Sequence, residues 1–203
     1  MKVLEEPQNF ECLDKTHHRH PARMSQMIGE GTYNLGLEYS TSHVVCISGI
    51  ATVAVERGPM LRMVPGCAVT VPGQFELDVQ SHMHEGLKPR VAVIERVGYA
   101  GSYAFHDVTK MHHLIDERGV KVSESCQGLK FLELDEGVVF NTLNIGDSFV
   151  VVLSGALHLE GDGGEVTHKL KPGSMFTLDH GEGFELSNIE KGAVLAKYRE
   201  DDE

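Results

Sequence analysis

The chain contains one pattern of residues twice, in the same order. Turn glycines and strand residues of the first half recur 106 positions later in the second half. The matched pairs are Gly31 with Gly137, Ser42 with Ser148, and Gly49 with Gly155. After one inserted residue, Pro65-Gly66 matches Pro172-Gly173 and Thr70 matches Thr177. An ordered set of matches indicates that one structural unit was duplicated.

Each copy consists of short apolar runs separated by glycine and proline turns. Glycine accounts for 22 of the 203 residues, well above its roughly 7% share in average proteins. Gly49 and Gly155 each end an apolar run, where the chain needs a sharp corner. The run from Val150 to Leu153 is apolar throughout, which is typical of a strand covered on both faces. We therefore expect an all-β fold in which each copy forms a sandwich or a barrel.

A segment of small residues, Gly98-Tyr99-Ala100-Gly101-Ser102, separates the two copies. It predicts an N-terminal barrel over residues 1–100 and a C-terminal barrel over residues 101–203. The stretch from Gln80 to Arg90 is longer than its counterpart in the second copy. We expect an exposed loop there, and such loops often carry function.

Acidic residues outnumber basic ones by 30 to 18, which gives a formal net charge of −12. Such a surface disfavours nucleic acids and anionic membranes as partners and leaves small molecules as the expected class. The segment from Met1 to Pro7 lacks the apolar core of a signal peptide. The cysteines are widely spaced, at Cys12, Cys46, Cys67 and Cys126. We expect a cytoplasmic protein with reduced thiols.

The order of strand, glycine, strand, Pro-Gly turn and strand resembles the cupin superfamily. The resemblance implies a bicupin, two tandem RmlC-like jelly-roll β-barrels from an internal duplication. Metal-binding cupins place two His and a Glu before the first glycine, and another His after the Pro-Gly turn. The Glu position is filled by Ser42 and Ser148, the later His position by Phe184 and the vicinity of Phe75, and the His-x-His stretch by Gly36–Glu38 and Thr142–Asn144. We therefore expect no bound metal and no other cofactor.

Several stretches of the sequence resemble one family within the cupin superfamily more closely. They are Glu30-Gly31-Thr32-Tyr33-Asn34-Leu35, Val45–Ala51 and Val69-Thr70-Val71-Pro72-Gly73, with Leu153–Leu157 and Gly173–Leu178 in the second copy. They are similar to the small single-cupin family of pyrimidine/purine nucleoside phosphorylases. The resemblance implies a metal-independent reaction of a nucleoside with phosphate to free base and pentose 1-phosphate. The family's acidic residues before the Val-x-Ser-Gly strand are replaced here by Ser42-His43 and Ser148-Phe149.

Phosphorolysis needs cationic groups for phosphate and a polar group for the sugar. Glu38 is the candidate catalytic residue, because it falls near the second His position of a metal-binding cupin and is expected to face the barrel interior. The substrate-binding candidates are Arg23, Arg62, Arg96, Ser42, Phe75, Asn144, Ser148 and Phe184, and Arg90, Lys130 and Lys197 are further cations for phosphate. The alternative for each arginine is a surface charge, and for Glu38 a carboxylate in solvent.

A second function remains open beside the enzyme, namely a non-catalytic bicupin that binds a small ligand or a protein partner. The histidines of His17-His18-Arg19-His20, His82-x-His84 and His112-His113 are expected to be solvated loop residues rather than metal ligands. Sheet edges left exposed by such a fold make a homodimer a further expectation.

Overall fold

The computed structural model contains only β-strands, turns and loops in the residues that it describes. No helix in those residues is long and apolar enough to cross a membrane. The described residues are 1–15, 21–56, 58–81, 87–98, 101–107, 113–117, 119–123, 127–140, 147–161, 167–179, 184–188 and 192–199. The histidine segments at 17–20, 82–84 and 112, together with Asn144 and Cys126, lie outside them.

The chain divides into two compact units. The first unit is Gln8–Thr109, and the second is Met1–Pro7 together with Lys110–Glu203. The strands of the first unit are β2 (Cys12–Lys15), β3 (Ala22–Ile28), β4 (Gly31–Leu35), β5 (Ser40–Ser48), β6 (Ile50–Ala54), β7 (Met60–Met63), β8 (Cys67–Pro72), β9 (Phe75–Gln80), β10 (Arg90–Val97) and β11 (Ala104–Asp107).

The second unit begins with β1 (Lys2–Leu4) and resumes after the first unit. Its other strands are β12 (His113–Glu117), β13 (Val120–Ser123), β14 (Leu129–Leu134), β15 (Val139–Phe140), β16 (Ser148–Ser154), β17 (Leu157–Gly161), β18 (Thr167–Leu170), β19 (Met175–Leu178), β20 (Phe184–Asn188) and β21 (Ala193–Arg199).

Each unit is built from two antiparallel sheets. In the first unit they run β11-β8-β5-β10-β3-β2 and β4-β9-β6-β7. In the second unit they run β1-β19-β16-β21-β14-β13-β12 and β15-β20-β17-β18. The strands from β2 to β10 match those from β13 to β21 one for one, in the same order in both sheets. The all-β jelly-roll prediction is confirmed, with two separate sheets in each unit rather than one closed barrel.

The hydrophobic core of each unit lies between its two sheets. In the first unit it includes Val44 and Cys46 of β5 and Leu77 of β9. In the second unit it includes Val150 of β16 and Leu186 of β20. Because side chains alternate along a strand, each strand of the larger sheet has one core-facing side and one opposite side.

The edge position of the larger sheet is filled differently in the two units. In the first unit β11, which comes after the other strands of the unit, pairs with β8. In the second unit the corresponding place beside β19 is taken by β1, from the beginning of the chain. Val3 of β1 packs against the core of the second unit. The second unit is therefore completed by a segment that is distant in sequence.

The thiol of Cys46 is expected to resist alkylation in the folded protein. Burial, together with the nearby thiol of Cys67, raises the pKa of Cys46 to about 12, whereas Cys12 is exposed. Partial burial and the neighbouring Asp14 raise the pKa of Cys12 as well, but its thiol is accessible to reagent. Because the thiolate is the reactive form, we expect Cys46 to react with iodoacetamide at pH 8 at least roughly tenfold more slowly than Cys12. Peptide mass spectrometry after brief labelling measures both rates. Equal rates under native conditions would contradict this burial, and equal rates in urea are the control.

Candidate functional site

Three polar side chains lie side by side across neighbouring strands of the first unit. In the strand register Glu95 of β10 is directly opposite Arg23 of β3 on one side. On its other side Glu95 is directly opposite Ser42 of β5. Directly opposed residues of antiparallel strands project from the same face of a sheet. We refer to Arg23, Glu95 and Ser42 as the polar row.

The polar row lies on the core-facing side of the six-stranded sheet. Ser42 lies two residues before Val44 and four before Cys46, so the three side chains project from the same side of β5. Val44 and Cys46 both belong to the core between the sheets. Glu95 in the same way shares a side with Val93, another core residue. The row therefore extends the core-facing surface with polar groups, at the end where β5 begins.

The charges of the polar row are partly compensated within it. Nη2 of Arg23 lies 3.0 Å from Oε2 of Glu95, and the side chains are 57% and 10% exposed, respectively. Oε1 of Glu95 and Oγ of Ser42 are buried, and neither atom has a hydrogen-bond partner among the described residues. A buried polar atom left without a partner costs about 1–3 kcal/mol. Both atoms therefore offer hydrogen-bonding capacity to a ligand or to water.

A groove of about 530 Å³ opens in the first unit where β4 and β6 end and β9 begins. Its lining comprises Asn34, Leu35, Gly36, Ala54, Val55, Glu56, Gln74, Phe75 and Glu76. The turn after β4 leads directly into β5. The backbone N–H of Gly73, next to the groove, donates to the carbonyl of Ser40 at 2.8 Å. The groove and the polar row thus lie at the same end of the first unit.

The groove combines an apolar part with an acidic, amide-bearing part. Phe75 is 4% exposed and packs in the core together with Leu35. Glu56 and Glu76 are exposed and contribute two carboxylates. This lining disfavours anions and suits a neutral ligand rich in hydroxyl groups, or an amine.

Glu38 does not face the barrel interior, and the structure bears out the alternative for this residue, a carboxylate in solvent. It is exposed, in the turn between β4 and β5. Strand β4 ends at Leu35, and Gly36 turns the chain with a φ of +79°. A Cβ on Gly36 would lie 2.3 Å from the carbonyl oxygen of Gly73, so the two loops pass in close contact. The carboxylate that does reach the core-facing side is Glu95.

The structure does not bring the predicted arginines to one place. Arg62 is exposed on β7 and directly precedes the core residue Met63, so its side chain projects from the other side of the strand, away from the core. Arg96 is 6% exposed but follows Glu95 on β10, and it therefore projects from the opposite side of the sheet. Of Arg23, Arg62 and Arg96, Arg23 is the one that lies on the core-facing side in the same row as another candidate, Ser42, with Glu95 between them.

The remaining predicted residues are buried in the two units. Phe75 and Phe184, each 4% exposed, pack within the cores of the first and second unit. Ser148 is 1% exposed and lies two residues before the core residue Val150, so both side chains project from the same side of β16. Ser148 therefore has the position in the second unit that Ser42 has in the first. Asn144 lies outside the described residues.

The residues at the cupin ligand positions do not fit a metal ion. A serine hydroxyl and a phenylalanine ring replace the carboxylate and imidazole that such a centre requires. Within the described part of the chain, no three His, Cys, Asp or Glu side chains are grouped so that they could hold a metal. The carboxylate in the polar row, Glu95, is already paired with Arg23.

Sequence reasoning missed Glu95, Glu56 and Glu76. The one signal for Glu95 was its position directly after the apolar run that ends at Ile94. Its side on the sheet and its neighbours depend on the register of β3, β5 and β10. Glu56 and Glu76 lie next to strand ends and carry no motif.

Comparisons with known proteins establish the fold. No family model matches the chain, and no curated protein matches it in sequence. The structure is similar to that of protein Ylba from E. coli, with 13% identity and a TM-score of 0.66 over 95% of this chain and 84% of that one. A cupin 2 conserved barrel domain protein from Leptotrichia buccalis is 10% identical, with a TM-score of 0.58 over 97% and 94% of the two chains.

A mutant of Bacillus subtilis oxalate decarboxylase is 9% identical, with a TM-score of 0.64 over 99% of this chain and 77% of that chain. The chain therefore has the cupin jelly-roll fold. At these identities the likeness concerns the fold alone, so function has to be inferred from the site.

Proposed function

We propose that the first unit binds a small molecule that carries hydroxyl or amino groups, at the polar row. The observation that supports this is the pair of buried atoms, Oγ of Ser42 and Oε1 of Glu95, that lack a partner among the described residues. The carboxylate oxygen accepts hydrogen bonds, and the hydroxyl both donates and accepts. A ligand hydroxyl or ammonium group between them would satisfy both atoms.

The groove supports the same ligand class. Apolar walls with a few polar groups are typical of small-molecule sites, and here the polar groups include the amides of Asn34 and Gln74. Glu56 and Glu76 favour neutral or cationic ligands over anions. A nucleoside fits this description, because it combines ribose hydroxyls with an uncharged base.

The resemblance to nucleoside phosphorylases adds a reaction to this binding proposal. Arg23 donates to Glu95 through one nitrogen, and its half-exposed guanidinium has further N–H groups that suit phosphate. Glu95 would then hold ribose hydroxyls, as expected of Glu38 from its place in the sequence, and would stabilise positive charge at the sugar. An oxygen of hydrogen phosphate would bond to C1′ while the N-glycosidic bond breaks, and the proton that the phosphate gives up would pass to the departing base.

Binding without turnover is the second candidate function. It is favoured by the dispersion of the arginines, because Arg62 and Arg96 are on other surfaces and leave Arg23 as the cation of the row. Incubation with uridine, adenosine, inosine and guanosine plus phosphate, with chromatography of the free base, separates the two. Base release that requires phosphate supports the enzyme, whereas binding without release supports the ligand-binding protein.

Glu95→Gln tests the site itself. A hydrogen bond to a charged group contributes about 1.5–3 kcal/mol, so we expect ligand affinity to fall roughly tenfold to a hundredfold. Isothermal titration with the nucleosides, and with amines and polyols of similar size, measures the affinity. Glu133→Gln is the matched control, since Glu133 is a strand carboxylate of the second unit, 3.4 Å from Lys121.

Unchanged affinity in Glu95→Gln would contradict the proposed site. Absence of binding by every nucleoside, amine and polyol would contradict the proposal as a whole. Thermal unfolding of the variant confirms that any loss of affinity is not a loss of fold.

A further inference from the structure

A second acidic residue lies next to the polar row. Asp14 of β2 is directly opposite Arg23 of β3 in the strand register, and Glu95 is directly opposite Arg23 on its other side. Directly opposed residues project from the same face of a sheet, so Asp14 shares the core-facing side with the row. Asp14 is exposed on its edge strand, whereas Glu95 is buried. Arg23 therefore stands between two acidic residues.

The charges along this line of residues do not balance. The carboxylates of Asp14 and Glu95 accompany the guanidinium of Arg23, and two negative charges against one positive charge leave a formal charge of −1. Ser42, at the other end of the row, is uncharged, and the next residue in the register is Val71. A ligand with one positive charge would bring the sum to zero, whereas phosphate would make it more negative.

The two unpartnered atoms of the row both suit a donor. Oε1 of Glu95 and Oγ of Ser42 are buried without a hydrogen-bond partner among the described residues. A carboxylate oxygen accepts hydrogen bonds, a hydroxyl oxygen has two acceptor lone pairs, and an ammonium group has three donors and no acceptor. Hydrogen bonds between charged groups are about twice as strong as those between neutral groups. An ammonium group between the two atoms would therefore satisfy both and form one charge-assisted bond.

The fold does not require a carboxylate at this place. Glu95 is directly opposite Ser42 in the first unit. At the matching place in the second unit Arg199 is directly opposite Ser148. The same position of the larger sheet thus carries opposite charges in the two units. The acidic character of the row belongs to the sequence of the first unit, and specificity is set by such site residues rather than by the fold.

We infer that the polar row prefers a ligand with a primary ammonium group over an uncharged or anionic ligand. The inference rests on the binding function proposed for this site and names the class of ligand that the site takes. The ammonium group would donate to Oε1 of Glu95 and to Oγ of Ser42. Val44 and Val93 lie two residues away from them on the same side of the sheet and belong to the core, so they would contact the apolar part of the ligand.

The preference also bears on the choice between catalysis and binding. Nη2 of Arg23 lies 3.0 Å from Oε2 of Glu95, and Asp14 is on the other side of Arg23. Arg23 then holds Glu95 in place, and the two acidic residues oppose the approach of phosphate to its guanidinium. Glu76, in the groove at the same end of the unit, adds another exposed carboxylate. An ammonium ligand therefore favours binding without turnover.

Matched pairs of ligands test the preference in the full-length protein. Isothermal titration at pH 7 compares benzylamine with benzyl alcohol and cyclohexylamine with cyclohexanol, since both amines are protonated at this pH. We expect each amine to bind roughly tenfold more tightly than its alcohol, because its hydrogen bond to Glu95 is charge-assisted. Benzyltrimethylammonium carries the charge but no N–H donor, and we expect it to bind more weakly than benzylamine.

Glu95→Gln and Asp78→Asn each remove one negative charge from the first unit. Asp78 is the matched control, because it lies next to the core residue Leu77 on β9 and so projects away from the core. Its Oδ1 accepts a hydrogen bond from Oγ1 of Thr32 at 3.2 Å. We expect the ratio of amine affinity to alcohol affinity to fall to about one in Glu95→Gln and to stay unchanged in Asp78→Asn.

The inference is overturned if the alcohols bind the unaltered protein as tightly as the amines, a result that needs no folded variant. It is also overturned if Asp78→Asn lowers the ratio as much as Glu95→Gln does. Binding of a nucleoside or polyol that depends on Glu95, without a preference for amines, would overturn this inference alone and leave the proposed site standing. Absence of binding by every ligand would overturn both.

Discussion

A chain that begins at Gln8 is expected to lose about 3–5 kcal/mol of stability in its second unit while the first unit keeps its own. Deletion of residues 1–7 removes β1, which pairs with β19 over three residues. It also removes the packing of Met1 and Val3 against the core of that unit. The edge of β19 would then be exposed, and an unprotected edge strand promotes aggregation.

Side-chain contacts add to the docking of this segment. Oγ of Ser174 donates to the carbonyl of Glu5 at 2.7 Å, and the N–H of Lys2 donates to Oγ1 of Thr177 at 3.2 Å. Glu5 also lies 2.8 Å from Nδ1 of His168. The pair of Glu5 and His168 is exposed and contributes little, so the main loss comes from backbone pairing and apolar burial.

Hydrogen exchange localises the effect, because opening free energies are resolved strand by strand. We expect amides of β16 and β19 to exchange faster in the truncated chain, with β5 and β8 unchanged. Lys2→Ala in the full chain is the control, since the Lys2 side chain is exposed. A synthetic peptide of residues 1–7 is expected to restore protection. Unchanged exchange in β19 after truncation would disprove the stabilising role of β1.

Gly49→Ala and Gly155→Ala are each expected to destabilise the unit that contains them by about 2–5 kcal/mol. Both glycines have a positive φ, +83° and +81°, which costs other L-residues roughly 1–2 kcal/mol. A Cβ at Gly49 would also lie 2.5 Å from Cβ of Pro89, and one at Gly155 would lie 2.7 Å from Cα of Ala193. Overpacking of this kind costs a further 1–3 kcal/mol or so.

Gly137→Ala separates the cost of backbone strain from the cost of the close contact that a Cβ would make. Gly137 has a φ of +76°, but a Cβ there would meet no atom within 4 Å. We expect it to lose about 1–2 kcal/mol, from backbone strain alone. Urea unfolding of the three variants gives the comparison. Equal losses in Gly137→Ala and Gly49→Ala would show that the close approach of the strands at Gly49 contributes nothing.

The candidate site shows where sequence reasoning stopped. Of the substrate-binding candidates, Ser42 projects from the core-facing side of β5 and Phe75 packs in the core, and their role in binding stays a prediction. Glu38 takes the second of its two predicted positions, in solvent, because β4 ends at Leu35 and the chain has already turned at Gly36. A shift of a few residues at a strand end moves a side chain from the interior to solvent.

The sequence by itself determined the all-β class and the repeated turn glycines, and it predicts no ligand at the positions where metal-binding cupins hold their metal. These are local features, since a turn needs particular residues and a ligand position either has a donor or lacks one. Only the tertiary structure decided which side chains meet. Arg23, Ser42 and Glu95 become neighbours through the register of strands far apart in the chain. The docking of β1 beside β19 likewise depends on long-range pairing, which no local pattern encodes.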